Sequence, residues 1–207
     1  MRGFVLIVYV FFCLTLSIAQ ETDRSTTKDK LGFYIPLFGN PEILQNFYYE
    51  SHYQTKRLNI FGINYIHPLN KTIDFETGLE YSRFSTMIYP FALPDANYGG
   101  NSYNNNNTGE LNIINLPITT RINIWKYFYL NGGLFLNLDL SKSSNIDIQT
   151  GVGTMIGVGC KYDFKSGWEI LFNPYYKVYS VLSISKSYSQ RILDAGCRLG
   201  VMIPLNK

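Results

Sequence analysis

Few residues in this chain are suited to acid–base or metal chemistry. It has two histidines, His52 and His67. His52 follows Glu50 closely, and a carboxylate beside an imidazole is the minimum needed for general-base hydrolysis of a lipid or peptide bond. A lone pair of this kind on a loop is far more often solvated than catalytic, so the expectation is that the protein is not an enzyme. No His-x-x-x-His or Cys-x-x-Cys spacing occurs, which leaves a metal site without ligands. Gly151-Val152-Gly153 is followed by more alternating residues rather than a helix, so it does not read as a phosphate cradle, and no cofactor is expected. Asn70-Lys71-Thr72 and Asn106-Asn107-Thr108 match the glycosylation pattern, as Asn-rich loops do by chance. What the sequence does organise is charge. Asp74, Glu76, Glu80, Arg121, Asp139, Lys161, Glu169, Lys177, Asp194 and Arg198 each lie on the face opposite the apolar residues of their strand, six acids against four bases. Opposite charges placed this way can neutralise one another on a single enclosed surface.

The elements that carry these charges alternate with a period of two, the signature of β-strands. Leu31, Phe33, Ile35 and Leu37 oppose Gly32, Tyr34 and Pro36, and Phe61, Ile63 and Tyr65 oppose Gly62 and Asn64. Ile73, Phe75, Leu79 and Tyr81 oppose Asp74, Glu76, Gly78, Glu80 and Ser82. The same rhythm recurs over 114–124, 128–138, 152–162, 168–178 and 193–203, giving eight strands. Residues 40–56 and 86–109 read as long loops, with shorter ones at 141–148 and 183–189. Tight turns fall near 69, 126 and 165. Short and long connections therefore alternate, as in an up-and-down meander with turns at one end and loops at the other.

Composition agrees. Charged residues are 16% and aromatics 16%, with 17 Tyr and 14 Phe, and mean hydropathy lies near zero. Strands with one apolar face and one polar face average out in this way, whereas membrane helices do not. The net charge of +3 is mild and no Lys/Arg cluster exceeds two residues, so no nucleic-acid partner is expected. At the N-terminus, Met1-Arg2, an apolar run from Phe4 to Leu16 and Ser17-Ile18-Ala19 form a secretory signal pattern. The expected division is a signal peptide over 1–19, a flexible periplasmic segment over 20–29 and a barrel domain over 30–205.

These readings converge on an all-β fold: an eight-stranded antiparallel up-and-down transmembrane β-barrel with short periplasmic turns and longer extracellular loops, set in a bacterial outer membrane. Eight strands leave room for side chains alone, so the ten charged residues should form a plugged polar interior. Trp125, Tyr127, Phe128, Tyr162, Phe164 and Trp168 gather near the short turns, where amphipathic rings would form an aromatic girdle at the membrane interface. By parity Cys160 and Cys197 both face lipid. One strand separates them, which puts them about 10 Å apart, beyond disulfide reach.

Thr77-Gly78-Leu79-Glu80-Tyr81-Ser82, Leu116-Pro117-Ile118 with Arg121, Phe128-Tyr129 with Gly132-Gly133, and Gly151-x-Gly153 resemble successive strands of the PorT-like outer-membrane barrels of Bacteroidetes. The resemblance covers roughly residues 30–205. It implies the fold and a cell-envelope location, and for some members a part in a protein-secretion apparatus. The expected partners are outer-membrane lipid, barrel-assembly machinery during biogenesis, and a protein partner met at loops 40–56 and 86–109, where Phe47-Tyr48-Tyr49 offers contact surface.

Overall fold

In a computed structural model the described residues are 28–45, 52–89, 107–141, 146–184 and 190–205. They form eight strands: β1 Lys30–Gln45, β2 His52–Pro68, β3 Ile73–Tyr89, β4 Asn107–Asn123, β5 Phe128–Asp139, β6 Gly151–Asp163, β7 Glu169–Ser183 and β8 Gln190–Pro204. Each strand pairs antiparallel with its sequence neighbours, and β1 closes on β8. The alternation read from the sequence is the cause. Leu116, Ile118 and Ile122 on β4 are exposed while Asn115, Thr119 and Arg121 between them are buried. The same division holds on β5, where Leu130, Leu134, Leu136 and Leu138 point out and Tyr129, Asn131, Phe135 and Asn137 point in.

The strands run further at the loop end than the alternation suggested. Residues 39–45 and 52–56, expected as loop, belong to β1 and β2, and Thr86–Tyr89 and Asn107–Gly109 extend β3 and β4. The remainder of those two loops, with Phe47-Tyr48-Tyr49 and Glu50, lies outside the described residues, as do residues 1–27. The alternation fails in β1 and β2 because each is bulged, β1 between Pro36 and Phe38 and β2 between Arg57 and Asn59. A bulge adds one residue and resets which parity faces inward. Past it, Pro41 and Ile43 turn inward on β1 and Thr55 on β2. At about 3.3 Å per residue and a tilt of about 40°, a strand of 17 residues rises about 43 Å, against an apolar band of about 25 Å. The strands are therefore longer than such a band is tall. On β2–β4 the outer surface turns polar at Asn59, Arg83 and Asn112, which lie in register.

The first residues described are not a free lead-in. Asp29 is buried, its carboxylate lies 2.7 Å from His67 Nδ1, and its carbonyl accepts from the Leu205 amide.

Candidate functional site

The interior is built by the inward parity of every strand, and towards the turn end it holds a network of ions tied across the lumen, beside a small apolar cluster of Ile66, Tyr129, Leu171 and Met202. Near the turns, Lys30 Nζ on β1 donates to Glu169 Oε2 at 2.6 Å and to Asp163 Oδ1 at 2.7 Å. Arg121 on β4 reaches the same Glu169 at 2.7 Å, and its other terminal nitrogen lies 3.7 Å from Glu76 on β3. Glu76 also accepts from Arg198 on β8 at 3.1 Å and from the Asn64 amide. Glu80 on β3 takes Lys177 on β7 at 2.5 and 2.6 Å, with Tyr34 donating at 2.6 Å and Asn115 at 3.0 Å. In a ring of eight strands β3 and β7 lie opposite each other, so this pair spans the full width of the barrel.

Rings flank the cations. The Arg121 guanidinium lies 4.4 Å from the Tyr129 centroid, Arg198 4.6 Å from Tyr34, and the Lys177 ammonium 4.8 Å from Tyr175. Cation–π contact of this kind supplies attraction on the side away from the carboxylates. Room for the rings comes from glycines on neighbouring strands: a Cβ at Gly159 would overlap the Tyr129 ring, one at Gly62 the Tyr34 ring, and one at Gly153 the Phe135 ring.

Of the ten charged residues expected inside, nine are buried: Asp74, Glu76, Glu80, Arg121, Lys161, Glu169, Lys177, Asp194 and Arg198. Asp74 accepts from Asn123 at 2.8 Å, Lys161 donates to the Asn123 side-chain Oδ1 at 2.6 Å, and Asp194 accepts from Tyr175 at 3.2 Å. Asp139 is the exception. It sits half-exposed at the barrel mouth and accepts the Ser141 and Gln149 backbone amides at 2.9 and 3.0 Å. It lies at the last position of β5, where peptide donors freed by the strand end take the place of a cation. Lys30 and the neutral Tyr34, Asn64, Asn115, Asn123 and Asn173 were missed as network members, although all share the inward parity of their strands.

The upper third of the interior departs from the expected polar filling. Ile60, Phe84, Leu111, Ile113, Phe135, Met155, Tyr179 and Ile192 form an apolar cluster there. The described part of the β5–β6 connection joins it: Ile146 is buried in the cluster, and Gln149 donates to the Gln190 carbonyl on β8 at 3.0 Å. That segment therefore folds across the mouth instead of standing clear as a polar loop. On β7 both Tyr179 and Ser180 are buried, because Ser180 adopts φ 47°, a left-handed conformation that costs about 1 kcal/mol or more in a non-glycine residue. Its hydroxyl accepts from Asn137 at 2.8 Å.

On the outside, Tyr127, Phe128, Tyr162, Phe164 and Trp168 are exposed and Trp125 is half-buried. Five of them make ring contacts in two groups along the turn end of β4–β7: Trp125 on Phe128 at 5.6 Å, and Tyr162 against Tyr127 at 6.3 Å and Phe164 at 4.9 Å. Both cysteines are free, and Cys160 is exposed as expected. Cys197 is not: it is 1% exposed. It has the outward parity of Ala195 and Leu199, but it pairs with Phe38 at the β1 bulge on one side and Pro174 on the other. Bulky flanking residues at a distorted ladder cover a small thiol. His52 opens β2 opposite Tyr89, and its proposed companion Glu50 lies outside the described residues. Among the described residues no group of His, Cys, Asp and Glu could hold a metal ion.

No protein-family model matches the sequence, and no curated protein does. Solved structures do. The Ail attachment invasion locus protein of Yersinia pestis aligns at 13% identity over 86% of this chain and 98% of its own, with a TM-score of 0.45. The outer membrane protein OprG of Pseudomonas aeruginosa aligns at 9% identity over 86% and 94%, with a TM-score of 0.48. The outer membrane protein AlkL, determined in DMPC lipid bilayers, aligns at 8% identity over 90% of this chain and 95% of its own, with a TM-score of 0.53. The likeness to AlkL is one of fold: this chain is a small closed barrel of eight antiparallel strands, built as outer-membrane barrels are.

Proposed function

We propose that the protein resides in a bacterial outer membrane, reached by signal-peptide export, and serves there as an ion-occluded anchor that works through what it holds above the bilayer. Its turns face the periplasm and its loop end the exterior. The observation that carries this reading is the Glu80–Lys177 pair joining opposite strands, with Arg121, Glu76, Arg198, Glu169 and Lys30 crossing the lumen below it. Opposite charges bound to each other at 2.5–3.1 Å leave neither free to lead ions through. The exposed apolar side chains of β1 and β4–β7 supply the surface that meets hydrocarbon. The loop-side ends of β1–β4 and the connections above them are left to make contacts, since function on such scaffolds lies in loops.

The test has two parts. The protein should fractionate with outer membranes and run faster on gels unheated than boiled, and in planar bilayers it should give no conductance steps. Stepwise conductance from the purified barrel would refute the occluded interior. Co-purification of secretion components with the tagged barrel would place it in such an apparatus, as the PorT-like strand motifs imply.

A further inference from the structure

The wall of the barrel is not evenly knit. Lys30–Tyr34 pairs with Gly62–Ile66, and among the described residues the β1–β2 ladder goes no further. Above that point each strand holds to its other neighbour, β1 to β8 up to Gln45↔Gln190 and β2 to β3 up to His52↔Tyr89. The cause is local. Both bulges lie just beyond the last pair, bulged strands bend and twist, and Pro36 has no N–H to give to a partner strand.

The parting contains a cavity of about 430 Å³ lined by Ile35, Pro36, Leu37, Phe38, Gly39, Asn59 and Ile60, within the roughly 300–1,000 Å³ of small-molecule sites. Its outer rim is hydrophobic and exposed, with Phe38 at 64% and Ile35 at 55%. Its back is Ile60, which belongs to the inner apolar cluster against which Ile43 packs. Asn59 is the one polar side chain in the lining, and it sits at the level where the outer surface turns polar, with exposed Lys56 beyond it. The site is thus lined by apolar side chains from the belt inward, with backbone polar groups of the parted strands exposed between them, and has an amide and a cation at its upper edge.

We propose that this seam binds one acyl chain of an outer-leaflet lipid, the chain lying along Ile35 and Phe38 towards Ile60 and the anionic headgroup resting at Asn59 and Lys56. Unpaired strand edges are costly in hydrocarbon. At the upper margin of the belt, lipid ester oxygens can accept from the freed β1 and β2 amides. The proposal rests on the membrane reading above.

The full-length protein is reconstituted in phosphatidylcholine vesicles containing a small fraction of phosphatidylglycerol with a diazirine midway along one acyl chain. After photolysis, peptide mapping locates the carbene insertions. Outward residues Phe33, Ile118, Leu134 and Val158 report whether the belt meets lipid. Ile60 reports the seam, and Ile113 is its control, because Ile60 and Ile113 both pair with Ser82 and both point inward. Ile192, in register with Ile43, is the second control. The expected result is insertion on the belt and at Ile60, several-fold above Ile113 and Ile192. Belt labelling with Ile60 no higher than Ile113 overturns the seam site and leaves the membrane reading standing, as does a particle of two barrels whose paired seams exclude the probe. Equal labelling of all inward residues also overturns it. No labelling on the belt overturns both readings.

Discussion

Replacing Glu80 by Met removes the carboxylate that binds Lys177 through both oxygens at 2.5 and 2.6 Å, in a site where both side chains are under 5% exposed. Removing one partner of a buried ion pair costs about 3–5 kcal/mol, because the other charge stays desolvated without compensation. Lys177 would keep the Tyr175 ring at 4.8 Å and its cross-strand neighbour Asp194, so Glu80→Met should fall within that range. Lys177→Met should cost less. Glu80 then still accepts from Tyr34 at 2.6 Å, Asn115 at 3.0 Å and Ser82 at 3.2 Å, and hydrogen bonds to a charged group contribute about 1.5–3 kcal/mol each. The double variant removes both charges and substitutes apolar side chains of similar length, so it should cost less than either single variant. The assay is urea unfolding in phospholipid vesicles, followed by gel mobility and tryptophan fluorescence. If the two losses add in the double variant, or if Lys177→Met costs more than Glu80→Met, the pair is not coupled as the distances imply.

Three further outcomes follow from the packing. Gly159→Val should destabilise the barrel by about 1–3 kcal/mol, the usual range for overpacking, because the new side chain displaces the Tyr129 ring from Arg121; wild-type unfolding midpoints would refute this. A small lipophilic maleimide should modify Cys160 in the folded, detergent-solubilised protein and Cys197 only after unfolding, with no change in mobility on adding reductant. Asp139→Ala should speed hydrogen exchange at the Ser141 and Gln149 amides and leave the mid-strand amides of β3 and β4 protected, so uniform deprotection would show Asp139 to be part of the global network.

The strand count, the meander and the inward placement of nine charged residues were legible because a period of two on a one-sided sheet cannot be shifted without exposing charge to the apolar face. Lys30 obeys the same rule, but it stands one position before Leu31, where the alternation begins, so no residue before it marks its inward face. The bulges of β1 and β2 were not legible: an extra residue looks in sequence like the end of a strand, and Gly39-Asn40-Pro41 reinforced that. The apolar upper cluster escaped notice for a related reason. Leu111 and Ile113 have the inward parity of Asn115, but Ile113 is followed directly by Ile114, so the sequence there gives no hint of which face is closed. Cys197 shows a different limit, since parity gives the direction of a side chain and not what its neighbours cover.

The ions inside the barrel are divided unequally along the chain. Lys30, Glu76 and Glu80 are made on the first three strands, whereas Glu169, Arg198 and Lys177 arrive on the last two. A sheet that lacks its final hairpin therefore leaves Lys30 without Glu169 and Glu80 without Lys177, whereas Glu76 already has Arg121 on β4. Closing one residue out of step would turn those partners to the wrong face, so the same contacts that seal the finished cylinder also act as a proofreading step when it is made.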